Sequence, residues 1–154
     1  MKTLVRLLAT MGPVGYAPVA PATAGSAVVT VIGYFLPAPP LMVALALIAV
    51  GAWLAVGLCG AAEKQLGHDA KPIIADEAVG QSVALLLVPR DPVAFFASFV
   101  LFRIFDVWKP LGAREAQRLP GGLGIVVDDV IAGLTAFGAF HLGVWGARAA
   151  GWLR

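Results

Sequence analysis

Apolar residues fill this chain in long blocks, and the breaks between them outline its elements. No Asp, Glu, Lys, Arg or His occurs from Leu7 to Ala62. Proline and glycine divide that stretch. Gly12–Gly25 (GPVGYAPVAPATAG) carries Pro13, Pro18 and Pro21, so no regular helix is expected there. Ser26–Leu36 (SAVVTVIGYFL) reads as a short apolar helix with Ser26 at its N-cap. Pro37-Ala38-Pro39-Pro40 turns the chain, and Leu41–Ala62 has the length and apolarity of a transmembrane helix. A polar block, Glu63–Glu77 (EKQLGHDAKPIIADE), follows. Ala78–Val88 is apolar again and stops at Pro89-Arg90-Asp91-Pro92. The next apolar helix runs from Pro92 and carries Arg103, Asp106 and Lys109 toward a polar, glycine-bearing loop. That loop ends at Asp128-Asp129, and Val130–Ala147 forms a last apolar helix. The expectation is an all-α, single-domain chain over 1–154. It has about five helices, some shorter than the roughly 20 residues of a full membrane span.

Composition turns this pattern into a class. The chain is 60% hydrophobic and only 13% charged, with a mean hydropathy of +0.88, which points to an integral membrane helical bundle. The net charge of +2 is too small to suggest nucleic acid as a partner. Its distribution is more informative. With the N-terminus in the cytoplasm, one side receives Lys2, Arg6, Lys64, Lys71, Arg103, Lys109, Arg114 and Arg118, and the other only Arg90, Arg148 and Arg154. This asymmetry follows the positive-inside tendency. It gathers the proline–glycine loop, the Glu63–Glu77 block and the 103–129 stretch at one cytoplasmic edge. The basic start MKTLVRLLATMG lacks a signal-peptide core of normal length. Cys59, alone in an apolar helix, reads as a packed residue and supports no disulfide.

Charged groups at the edge of such segments are costly unless they bind something. At 100° per residue, Arg103, Asp106 and Lys109 share one helix face. An i,i+3 pair and a snorkelling lysine would account for them alone, but Asp76, Glu77, Asp128 and Asp129 converge on the same edge. Glu77, Gly80, Gln81 and Ala84 form a polar and small stripe that reads as a buried polar lining. Asp76, Glu77, Asp106, Asp128 and Asp129 are an oxygen-rich set with little nitrogen or sulfur, which selects a hard cation, foremost Mg²⁺. Arg103, Lys109 and Lys71 add positive charge, and Mg²⁺ with Arg and Lys is a phosphate-handling combination. In the first loop, Thr23, Gly25 and Ser26 before a helix are placed to cradle a phosphate. An ordinary capped helix is the plainer reading there. His141 reads as an interhelical hydrogen-bond former.

Four blocks, in this order, resemble one known family: GPVGYAPVAPATAGS (Gly12–Ser26), HDAKPIIADEAVG (His68–Gly80), FRIFDVWKP (Phe102–Pro110) and GGLGIVVDDVIAG (Gly121–Gly133). The chain resembles the phosphatidylglycerophosphatase A family of bacterial inner-membrane lipid phosphatases. The resemblance implies Mg²⁺-dependent hydrolysis of phosphatidylglycerophosphate to phosphatidylglycerol and inorganic phosphate, by a multi-pass protein whose site faces the cytoplasm. It carries the family's polar positions onto His68, Asp69, Asp76, Glu77, Arg103, Asp106, Lys109, Asp128 and Asp129. Two steps depart from the family pattern: Pro21-Ala22-Thr23 stands where Pro-Gly-Thr is usual, and Leu111-Gly112-Ala113-Arg114 follows Lys109-Pro110.

On this reading Glu77, Asp106, Asp128 and Asp129 are the expected metal ligands. Asp76 or Glu77 is the expected general base, and Asp106 and Asp129 complete the catalytic set. Arg103 and Lys109, with Lys71, Thr23, Ser26, His68 and Asp69, are expected to contact substrate and phosphate. An aspartyl-phosphate route is disfavoured because no Asp-x-Asp occurs. A small transporter or channel is the rival reading, as is a non-catalytic membrane protein that binds ions through its acidic cluster. Both fit less well, since the charges lie at one edge rather than mid-membrane. The sequence leaves the oligomeric state open.

Overall fold

Two helices set the frame. In the computed structural model, which describes residues 2–67 and 70–152, α3 (Leu41–Leu66) and α7 (Gly122–Ala149) are each long and apolar enough to cross a membrane, with mean hydropathies of 2.5 and 1.7 over their best windows. They differ in surroundings. Almost none of the apolar stretch of α3 is fully buried, whereas half of that of α7 is. Helix α7 is therefore the central post, with α3, α4 (Ala75–Ala84), α5 (Pro92–Trp108) and the short α6 (Ala113–Ala116) packed on it. Helix α2 (Pro21–Phe35) lies on the far side of α4 and α5, and α1 (Lys2–Ala9) lies along α3.

All seven α-helices, and the absence of any strand among the described residues, agree with an all-α fold. The count exceeds the five expected. The five long helices are α2, α3, α4, α5 and α7. The additions are the eight-residue α1, which lies within the basic start of the chain, and the four-residue α6, barely a single turn.

Two boundaries are corrected. Helix α2 begins at Pro21, inside the stretch expected to be irregular, because proline at the first helical position loses no hydrogen bond and presets φ. Ser26 is consequently not an N-cap. It sits a turn and a half inside the helix, fully buried, with its Oγ donating to the Ala22 carbonyl at 3.0 Å. Helix α7 likewise starts at Gly122, so Asp128 and Asp129 are its seventh and eighth residues and cap nothing.

Glycine permits the closest crossings. A Cβ on Gly80 would lie 2.6 Å from the Asp129 carbonyl and from the Phe102 ring, and one on Gly133 would strike the Gly80 carbonyl. Helices α4 and α7 therefore touch backbone to backbone, which brings the start of α4 against the Asp pair. At the other end of the bundle, the His141 ring nitrogen meets the Leu86 carbonyl at 3.0 Å, so the expected bond from α7 forms to the turn after α4 rather than to a helix.

Candidate active site

The start of α4, the end of α5, the first turns of α2 and the second turn of α7 meet at one end of the bundle. Asp76, Glu77, Asp106, Asp128 and Asp129 are all buried there. Two of them are paired. Arg103 Nη2 lies 3.0 Å from Asp106 Oδ2 on the same helix, and Lys109 Nζ donates to Asp128 Oδ2. Lys109 ends α5 in the left-handed conformation (φ 51°), a place glycine usually takes. Burial works against its ammonium, but the Asp128 carboxylate outweighs that and holds the Lys109 pKa above the ordinary lysine value.

The other three acids form no ion pair among the described residues, although Arg103 lies within electrostatic reach of Glu77. Asp76, Glu77 and Asp129 each turn one carboxylate oxygen into a common space, the three atoms lying within 4.8 Å of one another. Asp76 Oδ1, Glu77 Oε2 and Asp129 Oδ2 are buried without a hydrogen-bond partner. Like charges packed this closely, away from water, repel strongly. A divalent cation among them would offset that cost, and an all-oxygen set is the donor chemistry hard cations take. The arrangement thus fits Mg²⁺. Asp106, which also interacts with Asp129, joins the cluster to the Arg103 pair.

Arg103 extends the site toward α2. Its Nη1 donates to Ser26 Oγ at 3.2 Å, and its buried Nε has no partner. Buried Ser26 thus orients the guanidinium as well as bracing its own helix. Thr23 lies half-buried in the first turn of α2. Lys71 is exposed in the turn before α4 and makes no side-chain hydrogen bond or ion pair among the described residues. His68 and Asp69 lie outside the described residues. Of the expected positions, then, the fold gathers Asp76, Glu77, Arg103, Asp106, Lys109, Asp128, Asp129 and Ser26. Asp76 stands in the carboxylate triad itself, beyond its expected role as a base. Cys59, read from sequence as packing only, is buried within electrostatic reach of Asp76. No periodicity signals that, because the contact joins two helices across the bundle.

Comparison with known proteins decides the family. The phosphatidylglycerophosphatase A family matches residues 7–144, nearly the whole chain. The chain belongs to that family. Phosphatidylglycerophosphatase A of Escherichia coli K12 is 33% identical over 130 residues, covering 82% of this chain and 76% of that protein. The Haemophilus influenzae phosphatidylglycerophosphatase A is 36% identical over 122 residues, covering 76% and 74%. A Bacteroides thetaiotaomicron protein with the provisional name phosphatidylinositol-3-phosphatase is 36% identical over 143 residues, covering 85% and 87%. No solved structure matches the chain. Within the phosphatidylglycerophosphatase A match fall all the buried acids and both paired bases.

Proposed function

We propose that this chain is a Mg²⁺-dependent phosphatidylglycerophosphate phosphatase, releasing inorganic phosphate and leaving phosphatidylglycerol. It would work as a multi-pass protein of a bacterial inner membrane, with its site at the cytoplasmic edge. One observation carries the reading: three buried carboxylate oxygens without partners stand beside two paired bases, at one end of an apolar bundle. The family and the names of the relatives support it.

Asp76, Glu77 and Asp129 would hold the cation. When bound, Mg²⁺ supplies positive charge that draws electron density from the phosphoryl oxygens. The protein's own groups do the rest. Arg103 and Lys109 hold the doubly anionic monoester and stabilise the charge that grows on its equatorial oxygens. Asp76 or Glu77 takes a proton from the attacking water at the carboxylate oxygen that does not face the cation. The water oxygen bonds to phosphorus as the bond to the glycerol oxygen breaks, and the proton returns to that leaving oxygen. The half-buried Arg103 and Lys109, paired with buried Asp106 and Asp128, are fixed in position before substrate arrives.

The test is phosphate release from phosphatidylglycerophosphate in detergent, with and without EDTA. Release that EDTA abolishes and Mg²⁺ restores is expected. Release indifferent to chelation would remove the metal, and no release with ion flux in vesicles would favour a transporter. Because one relative carries a phosphoinositide phosphatase name, phosphatidylinositol 3-phosphate belongs in the same assay. A higher kcat/KM on that lipid would reassign the headgroup but leave the chemistry intact.

A further inference from the structure

Among the described residues, Gln81 is the buried large polar side chain at this end of the bundle that the chemistry above leaves without a task. It is fully buried, and neither its Nε2 nor its Oε1 has a hydrogen-bond partner. A carboxamide offers two donors and an acceptor with two lone pairs. Burying it with every one unmet is among the costliest things a fold can do with a neutral group, and such groups call for an explanation. Leucine or methionine would fill the volume without that cost.

Its position supplies the explanation. Gln81 follows Glu77 by four residues on α4, so the two side chains lie on one helix face, one above the other. Helical side chains lean toward the N-terminus, and that end of α4 is the one that carries Asp76 and Glu77 of the triad. Gln81 stands about 6 Å further along the helix than Glu77, away from the polar edge and toward the apolar interior. Arg103 Nε, the other buried nitrogen at this end without a partner, belongs to the helix that borders the same site.

The proposed substrate has a fixed order of groups. Its terminal phosphomonoester meets the acids. Next comes a glycerol bearing one free hydroxyl, then the phosphodiester, then the acyl-bearing glycerol in the apolar phase. Going inward from the triad, the first polar group after the reacting phosphate is that hydroxyl. It lies a few bonds from the phosphorus, within one helical turn once a hydrogen bond is added. A carboxamide matches a hydroxyl in both senses, since Nε2 donates to its oxygen and Oε1 accepts its proton.

We infer that Gln81 reads the free hydroxyl of the headgroup glycerol and so sets the specificity of this site for a polyol-linked phosphomonoester. The inference rests on the function proposed above. It explains why a buried amide is kept with no partner in the protein itself, because its partner arrives with the substrate.

The experiment compares phosphatidylglycerophosphate with a synthetic analogue in which hydrogen replaces the headgroup hydroxyl. Each is hydrolysed by wild type and by Gln81→Met, at several Mg²⁺ concentrations. Wild type is expected to prefer the natural headgroup by at least about tenfold in kcat/KM, because a site built to bond a hydroxyl is left with unmet groups when it is missing. Gln81→Met should lose activity on the natural lipid, keep its activity on the analogue, and so erase most of the preference. The Mg²⁺ concentration for half-maximal rate should be the same in both proteins. A wild-type enzyme that hydrolyses both lipids equally overturns the inference without any variant and leaves the proposed function standing. So does a Gln81→Met protein that falls equally on both lipids, or whose Mg²⁺ requirement shifts, since Gln81 would then serve the cation or the fold. Wild type that releases phosphate from neither lipid overturns the proposed function, and this inference with it.

Discussion

Five acids are buried within one site, yet they live in two different electrostatic settings. Asp106 and Asp128 each face a cation held on α5 or at its end, Arg103 and Lys109. Asp76, Glu77 and Asp129 crowd one another without an ion pair among the described residues, with Asp106 within reach of Asp129 and Arg103 within reach of Glu77. The first setting is matched in charge by the protein alone, with Arg103 Nε its one buried nitrogen left without a partner. The second is incomplete, and its unmet oxygens define what must be supplied from outside. Burial by itself thus does not mark the chemically active acids. The presence or absence of an internal counter-charge does.

The largest effect should come from the incomplete set. Asp129→Asn and Glu77→Gln each preserve shape while removing a charge that has no ion-pair partner among the described residues. Turnover of phosphatidylglycerophosphate is expected to fall at least about a hundredfold in each, the low end for losing a preorganised electrostatic group. Folding should survive, because removing one of three mutually repelling charges relieves the apo protein. Thermal unfolding in detergent should therefore show equal or higher stability without Mg²⁺. Variants that turn over like wild type would show that the triad is structural.

The paired set should respond in the opposite way. Lys109→Met leaves the Asp128 carboxylate buried and unmatched, which is expected to destabilise the fold by about 2–3 kcal/mol. The melting temperature should drop even where no substrate is present. Converting Asp128 to Asn in the same chain should recover most of the loss, since both charges are then gone. If Lys109→Met changes only KM and leaves the melting temperature alone, the two settings are not distinct, and Lys109 is simply a substrate contact.

How far the sequence could reveal this contrast depends on what fixes each feature. The long apolar helices were legible because composition alone specifies them, and α3 and α7 stand where hydropathy puts a span or its core. The identities of the five acids were legible because charged residues are rare in so apolar a chain. Their partition was not. Asp106 and Arg103 are three apart on one helix and could be paired from spacing, but Lys109–Asp128 joins two helices across a loop. That pair depends on where α7 begins. With the start placed at Val130, Asp128 and Asp129 fall at the end of the loop. Extending the helix back to Gly122 points them in different directions, one to Lys109 and the other to α4. The earlier start was obscured by glycines at 121, 122 and 124, which lower helix propensity. Gly122 is required there because a Cβ would meet the α3 backbone at Val56 and Gly60.

The same crossing logic gives the next effect. Gly133→Ala places a methyl against the Gly80 carbonyl, a rigid neighbour that cannot step aside. Helix α4 must then shift from α7, moving Asp76 and Glu77 away from Asp129. Overpacking of this kind costs about 1–3 kcal/mol, and it should also raise the Mg²⁺ concentration needed for half-maximal phosphate release. The paired acids, whose partners do not sit on α4, should be unaffected. A cation requirement equal to that of wild type would show that the triad does not depend on this helix contact.

The smallest effect probes the join between the two settings. Arg103 belongs to the paired set through Asp106, but its Nη1 is also steadied by Ser26 on α2. Ser26→Ala removes one acceptor and leaves the ion pair in place. A single hydrogen bond of this sort contributes about 0.5–1.5 kcal/mol, so a severalfold change is the expected scale. Arg103 would keep its charge and position on the helix but lose a constraint on its guanidinium plane. KM for phosphatidylglycerophosphate should therefore rise severalfold, with kcat and the Mg²⁺ requirement nearly unchanged. A drop in kcat of the size seen for Asp129→Asn would mean that Ser26 itself touches the reacting phosphate. In that case the first turns of α2 belong with the incomplete set, and the boundary between the two settings lies at Arg103 rather than behind it.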